Sequence, residues 1–557
     1  MSTSQPKLFT LLGFGLILIT LGFIYCDFPI MRYVLWDDDL LITDNAILKM
    51  PLREALRSAF SGFYNGDYIP VTLMSYWLDI TLFGFAAPFQ HAENILIHMA
   101  NICLLYVWLG RQVKSRYLLW FTVIMFAIHP LQVETVAWIS ERKGLLASFF
   151  YLLGLSMADR ASSASKFRLG FAFGYVLSFV LAAMAKANGL LLPFWLVVSL
   201  LVRRQRLGVL AWCAHGGALI AAAVMAYVRV EAYASAIPQF QAVMMAPGRL
   251  ISWPAMVLAS LGFYVRMLFV PRGLSIIYPS FTSWVDWLPE IVAGGIFVLV
   301  VVWCAIRWRS RELLIWWFFV LLTLAPVMNL VPRINFVNDR YIYLPIIGFS
   351  LVGGTIIEVS WSRLKSKGAN LPRAVKYWLR IMGAISLLLG LVWVTMLSRE
   401  RALVWRDNVA LWSDTVAKVP TSSLALNNLG QAYQEQGQIE LAIGSFERSL
   451  KIADRQLANL AINNLAAIYS SKQYPQHFDL ERAKSLLEHG IATVVRPDDS
   501  LVMRYNLALV YLQSGDLSNG KSALNDLRLA LESTSNQRYR FLADRVKDLQ
   551  KKIEAQP

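Results

Sequence analysis

The chain has 557 residues, 57% of them hydrophobic, with a mean hydropathy of +0.49 and a formal net charge of +16. No water-soluble globular domain reads like this, so most of the chain belongs in lipid. The basic excess falls in short clusters between apolar runs, which makes it a topology signal and excludes a nucleic-acid partner as the first expectation. Cys26, Cys103, Cys213 and Cys304 are scattered without metal-like spacing, so neither a disulfide framework nor a zinc site is expected.

The first apolar run, Leu8–Cys26, follows a single Lys7 and has no small-x-small cleavage site after it, so it reads as an uncleaved first crossing. Trp36-Asp37-Asp38-Asp39 comes next. An aspartate at the centre of a membrane helix costs about 2.5–3.5 kcal/mol, so the three emerge beyond that crossing. Within the connection 27–93, Leu52–Phe60 and Val71–Leu82 read as amphipathic helices on the membrane surface.

Further crossings are expected at Asn94–Leu109, Tyr117–Ile128, Leu145–Ala158, Leu169–Ala185, Gly189–Val202 and Leu207–Val228. Ile291–Ile306, Leu313–Ala325, Tyr343–Glu358 and Ile381–Leu397 follow, which makes about 11 spans. Leu250–Val270 breaks the alternation of charge between runs, so it reads as a re-entrant or interfacial helix. Basic clusters at Arg111–Arg116, Arg160–Arg168, Arg203–Arg206, Arg307–Arg311 and Arg363–Arg380 face the cytoplasm by the positive-inside rule. The N-terminus joins them there, and the connections 27–93, 129–144, 229–290 and 326–342 lie outside with everything after Leu397.

The membrane domain therefore covers 1–399, and the tail 400–557 is a second, polar domain. Leu429-Gly430, Tyr433, Gly437, Ala442 and Phe446 recur as Leu465-Ala466 and Tyr469, then as Leu507-Ala508, Tyr511 and Gly515. These are tetratricopeptide (TPR) offsets, in which small residues let two antiparallel helices approach. The middle unit is lengthened around Lys472–Leu480, Pro497 closes it, and one more helix, Arg401–Lys418, is expected to cap the stack. The fold class is thus all-α: a polytopic bundle followed by a TPR solenoid.

Ionisable residues cluster on the expected outer side. Asp37–Asp39 are joined there by Asn94 and His98, His129 and Glu134, Glu141-Arg142-Lys143, Lys186, Arg333, and Asp339-Arg340-Tyr341. Plainer roles compete at each: a solvated loop start for the aspartates, a packed histidine at 98, headgroup anchors at 142 and 143, a local ion pair at 339 and 340. Lys186 is harder to set aside, because it interrupts a run of about 30 apolar residues. Acids and cations gathered at one face suit a lipid phosphate held by Arg and Lys, with a carboxylate taking the proton of an attacking hydroxyl.

At these residues the chain resembles the GT-C membrane glycosyltransferases, specifically the transmembrane-and-TPR proteins, which include bacterial members and eukaryotic O-mannosyltransferases. The resemblance rests on Trp36–Asp39, Pro70-Val71-Thr72, Asn94 with His98, the block from His129 through Glu134 to Trp138, Glu141–Lys143, Ala185–Ala187, and Asn338 to Pro345. It implies an extracytoplasmic, inverting transfer from a polyprenyl- or dolichyl-phosphate-linked sugar, and a bacterial inner membrane is the expected location. The acceptor would be a protein or glycan, bound or presented by the TPR groove. Carried over by position, Asp37 or Asp38 is the catalytic base, with Asp38 preferred, and Glu134 assists. Asp39, His98, His129, Arg142, Lys143, Lys186, Arg333, Asp339, Arg340 and Tyr341 would contact substrate. Three adjacent aspartates could also hold a divalent cation, Mg or Mn. Ile69 and Gly144 depart from the pattern, which has His or Arg and Asp there in many members. The rival reading is a non-catalytic, membrane-anchored TPR scaffold.

Overall fold

A computed structural model describes residues 5–554 apart from 65, 163–167, 205–207, 237–248, 280–283, 329–334, 368–372, 453–454, 494–499 and 534–539. The chain divides into two compact units, Met1–Asp407 and Asn408–Pro557. Among the described residues every regular element is helical, apart from one isolated bridge between Tyr64 and Asp67.

The first unit contains α1 (Gln5–Ile24), α2 (Leu52–Ser61), α3 (Pro70–Phe83), α4 (Ala87–Gln112), α5 (Arg116–Ile128), the short α6 (Val133–Ala137), α7 (Arg142–Ser162) and α8 (Arg168–Ala185). It continues with α9 (Leu192–Arg203), α10 (Val209–Ala236), α11 (Arg249–Phe269), α12 (Leu288–Trp308), α13 (Arg311–Leu324), α14 (Pro345–Lys367) and α15 (Arg373–Val404). Each of the eleven expected crossings falls on one of these helices. Six helices among the described residues are long and apolar enough to span alone; α5 with α6, bent by 52°, makes a further candidate.

Local chemistry sets the helix ends. Ser115 and Ser310 accept from the backbone N–H groups of Leu118 and Leu313, supplying acceptors for donors that the first turn leaves orphaned. Arg204 and Arg309 close α9 and α12 in the left-handed conformation, φ +55° and +50°. Leu11, Ile19, Leu299, Ile306 and Leu387 stay exposed, which only a hydrocarbon solvent tolerates over so large an area.

Two of the runs expected at the membrane surface or re-entering it are helices that also pack on the rest of the first unit. Val71–Leu82 forms α3, but it packs into the bundle: the Thr72 hydroxyl donates to Ala185 O and Tyr76 to Ile139 O, both from buried positions. The run Leu250–Val270 forms α11, which lies antiparallel on α12. A Cβ on Gly262 would sit 1.8 Å from Glu290 O, and one on Gly294 2.0 Å from Leu258 O. The backbones are therefore in contact, as small-residue faces allow between membrane helices.

The second unit opens with α16 (Asn408–Lys418), so the expected helix Arg401–Lys418 is broken at Trp405–Asp407 and Arg401 belongs to the last turn of α15. Three helix pairs follow: α17 (Ser423–Glu435) with α18 (Ile439–Ile452), α19 (Arg455–Tyr469) with α20 (Leu480–Thr493), and α21 (Leu501–Gln513) with α22 (Leu517–Ser533). The terminal α23 is Arg540–Glu554. The longer middle turn lies where expected, between Tyr469 and Leu480, while Pro497 lies outside the described residues. The ring of Phe446 fills the space over Gly430, with a built Cβ only 2.6 Å away, which is why the repeat requires a small residue there.

Replacing Gly262 by Val should therefore force α11 and α12 apart and lower the melting temperature in detergent by several degrees, a cost of roughly 1–3 kcal/mol. Gly295→Val, whose Cβ meets nothing within 4 Å, should leave it unchanged.

Candidate functional site

The segment Trp138–Lys143, joining α6 to α7, is where the aspartate loop and most of the cations meet. Asp38 turns inward and is fully buried. Its Oδ1 accepts from Ser140 N (3.1 Å) and Ser140 Oγ (2.5 Å), and its Oδ2 from Val34 N (3.0 Å). Burial raises this carboxyl from 3.8 to about 7, against the pull of its three donors. With both oxygens engaged by the protein, Asp38 clamps the loop to Ser140.

Asp37 is placed differently. Its φ is +67°, and the only other non-glycine residues with positive φ among those described are the two helix caps Arg204 and Arg309. Asp adopts this left-handed conformation more readily than most residues, and in a loop it is held by its surroundings. Here the surroundings are the Asp38 clamp on one side and the bond from Leu41 N to Asp37 O (2.8 Å) on the other. The Asp37 side chain is half-buried, and among the described residues it makes no hydrogen bond or ion pair. Asp39 opens a π-helical turn, Asp39–Thr43, whose Leu41 and Ile42 are buried with Ile69, Leu73 and Ala59. Ile69 thus fills the apolar floor under the aspartate loop, where a His or Arg would leave a buried polar group.

A chain of alternating charges runs through the same region. Tyr278 OH donates to Asp339 Oδ1 (2.6 Å), and Asp339 Oδ2 accepts from Arg401 (3.1 Å). Arg401 also lies 3.9 Å from Glu134, which receives Arg340 at 2.6 Å. Arg340 reaches Glu141 at 3.6 Å, and the other oxygen of Glu141 accepts from Lys186 at 2.6 Å. Burial lowers the Lys186 ammonium, and the Glu141 carboxylate pulls it back up. Asn338 orients Arg340: in the amide orientation its neighbours dictate, its oxygen accepts from Arg340 Nη2 (3.0 Å) and Tyr341 OH (3.2 Å). Arg340 and Lys143 both stand over the Trp138 ring, at 5.1 and 5.8 Å. Trp138 in turn lies between Trp36 (6.4 Å) and Trp405 (5.7 Å). Lys143 is half-buried and has no ion-pair partner among the described residues. Gly144 is fixed by the same cluster, because a Cβ there would lie 2.7 Å from Glu141 Oε2 and 3.4 Å from Lys186 Nζ.

Several expected substrate contacts lie elsewhere. Arg142 is fully buried in a separate cluster, paired with Asp79 and with Glu93 (2.9 Å), donating to Asn94 Oδ1 (3.0 Å) and lying over the Tyr76 ring. Its guanidinium is already neutralised, so the structure gives it a packing role. His98 bonds Tyr343 OH and Ala127 O between helices (2.7 and 3.0 Å) and is likewise internal. His129 Nδ1 accepts from Leu131 N, which leaves Nε2 to donate to Leu268 O. That ring is a neutral cap, not a phosphate-binding cation. Arg333 lies outside the described residues. Asp79, Glu93, Tyr278 and Arg401 were not expected at all. The visible signal for Asp79 is an acid inside the apolar run Trp77–Ile80, and for Arg401 a cation one turn before an apolar helix ends. Among the described residues no group of three or more His, Cys, Asp or Glu side chains is arranged to hold a metal ion, and Asp37 and Asp38 diverge.

A tetratricopeptide-repeat family model matches residues 424–455. Curated relatives include a protein O-mannosyl-transferase of Caenorhabditis elegans, 22% identical over 445 residues, covering 75% of this chain and 59% of that protein. Protein O-mannosyl-transferase TMTC1 of Homo sapiens is 23% identical over 468 residues, covering 72% and 49%. The chain thus matches between half and three-fifths of the length of these relatives. Among solved structures, ArnT from Cupriavidus metallidurans in the apo state aligns at a TM-score of 0.40 and 15% identity, over 86% of this chain and 82% of that one. The relatives bear out the resemblance carried by the motifs, and the family match falls on the first of the expected repeats.

The raised Asp38 carboxyl has a consequence for stability. In the unfolded chain it ionises near 3.8, but in the fold it holds its proton up to about 7. The folded state binds the extra proton, so its stability should fall as pH rises through that window, by at most about 1.4 kcal/mol per unit. The melting temperature of the wild type should drop more between pH 4 and pH 7 than that of Asp38→Asn, and equal pH slopes would refute the assignment.

Proposed function

We propose that this chain is an inverting membrane glycosyltransferase that moves a sugar from a polyprenyl-phosphate-linked donor to an acceptor hydroxyl. The observation that carries the reading is Asp37, a half-buried carboxylate with no hydrogen-bond or ion-pair partner among the described residues, held at φ +67° beside a segment rich in cations. The names of the curated relatives support the transferase class and make mannose the first sugar to test. The charge pattern between the apolar runs supports a cytoplasmic N-terminus and a site on the outer face of a bacterial inner membrane.

In this mechanism Asp37 accepts the proton of the acceptor hydroxyl as that oxygen attacks the anomeric carbon. The new carbon–oxygen bond forms opposite the bond to the lipid phosphate, whose electron pair leaves with the phosphate, and the configuration inverts. Lys186, Arg340 and Lys143 stabilise the departing phosphate. Lys186 and Arg340 share Glu141, so a phosphate entering here exchanges one anion for another and leaves no buried cation unpaired. Glu134 and Arg401 hold Arg340 in position. The preference between the two aspartates is revised accordingly: Asp37 is the base and Asp38 its positioning residue. The TPR unit binds the acceptor.

Sugar transfer in membranes supplied with polyprenyl-phosphate mannose tests the scheme. Asp37→Asn should lower the rate by ~10²–10⁴-fold with donor binding intact, and Lys186→Met should weaken donor use. Unchanged transfer in Asp37→Asn would refute the base, and biological function persisting without any transfer would favour the scaffold reading.

A further inference from the structure

Arg229 is a buried cation that the scheme above leaves without a role. It lies near the end of α10, a mainly apolar helix whose Val224, Tyr227 and Val230 are exposed, and its own side chain turns inward. A cation within an apolar membrane helix is costly and points to a function. The guanidinium joins two other elements. Nη1 pairs with Asp67 in the loop before α3, and Nη2 donates to Ala183 O in the last turn of α8 (2.6 Å).

Both elements lead to the site. On one side, Tyr64 and Asp67 exchange two backbone hydrogen bonds (2.8 and 2.9 Å) across a turn in which Gly66 is left-handed, φ +74°. Tyr64 OH then donates to Leu40 O, within the turn that the bond from Leu41 N to Asp37 O closes. On the other side, a helix end leaves carbonyls without an intrahelical donor. Two of those of α8 are taken up from outside, Ala183 O by Arg229 and Ala185 O by Thr72 (3.2 Å). The backbone of Lys186 continues that turn, its N–H donating to Ala182 O at 3.1 Å. One ion pair thus closes a hydrogen-bonded path from the backbone of Asp37 to the backbone of Lys186.

We propose that the Asp67–Arg229 pair is a strut that sets the distance between Asp37 and Lys186, which makes Arg229, Asp67 and Tyr64 positioning residues for sugar transfer. The base and the cation that receives the phosphate act on opposite sides of the anomeric carbon. Their separation must match the length of the reacting array, and an error of ~1 Å costs about 10²-fold. Arginine suits the task because its planar fork holds a carboxylate and a carbonyl at once, in fixed directions. Asp67 is itself held, since its Oδ1 also accepts from Tyr68 N (2.9 Å). The Asp38–Ser140 clamp leads to Lys186 as well, through Glu141, but it reaches only the ammonium. That link is lost when a phosphate takes the place of Glu141, whereas the Arg229 path holds the backbone and persists. The proposal rests on the catalytic reading for what the spacing serves, though not for the path itself.

Sugar transfer from polyprenyl-phosphate mannose and amide hydrogen exchange, both on the full chain in nanodiscs, test the strut together. Tyr64→Phe removes one hydroxyl and should lower kcat about fivefold, with the donor KM and the melting temperature unchanged. Arg229→Gln should lower kcat/KM by ~10²-fold, yet by no more than about threefold in a Lys186→Met background, because it acts through Lys186. A merely structural loss would add in full. Both variants should speed exchange in the segment 37–44, and Arg229→Gln also in the segment around Lys186. Tyr64→Phe touches no buried charge and carries the test should Arg229→Gln not fold. Unchanged exchange in the aspartate segment, unchanged kcat in Tyr64→Phe, or full additivity with Lys186→Met would each overturn the strut. Faster exchange in the variants of a chain whose wild type transfers no sugar would uphold the path and count against the catalytic reading alone.

Discussion

The chain of buried charges from Asp339 through Arg401, Glu134, Arg340 and Glu141 to Lys186 is the constraint on which the rest of the first unit depends. Three acids and three cations out of water are tolerable only as alternating neighbours, because each isolated charge would carry a desolvation cost of several kcal/mol. Keeping them paired ties together the first turn of α6, the residue before α7 and the last turn of α15, with the loops at Lys186 and Asp339. It also explains why so much of an apolar bundle is polar at one face.

A network of this kind is weak evidence for stability and stronger evidence for use. Neutral overall, it holds several donors close to the Trp138 ring, where Lys143 adds a further cation. The aspartate loop is attached to the same segment by Asp38 and Ser140, so the position of Asp37 relative to the cations is set by hydrogen bonds and not left to a free loop. The adjoining Arg142 cluster shows the contrast. It has the same residue types, but Arg142 is closed off by Asp79 and Glu93 and packs α3 and α4 against α7.

Much of the architecture was legible in the chain because the signals are local. An apolar run of membrane length forms a helix wherever it sits, since lipid leaves its backbone no other partner. The TPR offsets likewise report contacts within one helix pair, as Gly430 and Phe446 do. What local patterns miss is direction. Val71–Leu82 has the composition of a surface helix, yet Thr72 and Tyr76 tie it to residues 113 and 63 positions away. Arg401 reads as the start of a capping helix, and only the break at Trp405–Asp407 returns it to the membrane unit.

The sequence by itself determined that this is an all-helical membrane protein with a repeat tail. Composition, run length and the spacing of small residues carry that information without reference to partners. The tertiary structure alone decided which of the ionisable residues are spent and which are free. Asp37 and Asp38 are adjacent and chemically identical, and the bonds from Val34 and from Ser140, 102 residues away, turn Asp38 inward, while Asp37 makes no such side-chain bond among the described residues. Arg142 and Lys143 are likewise adjacent, and the roughly 100° step between neighbouring positions of a helix sends the first to Asp79 and the second to Trp138. Side-chain identity is written in the chain, but the pairing of buried charges is a property of what the fold brings within a few ångströms.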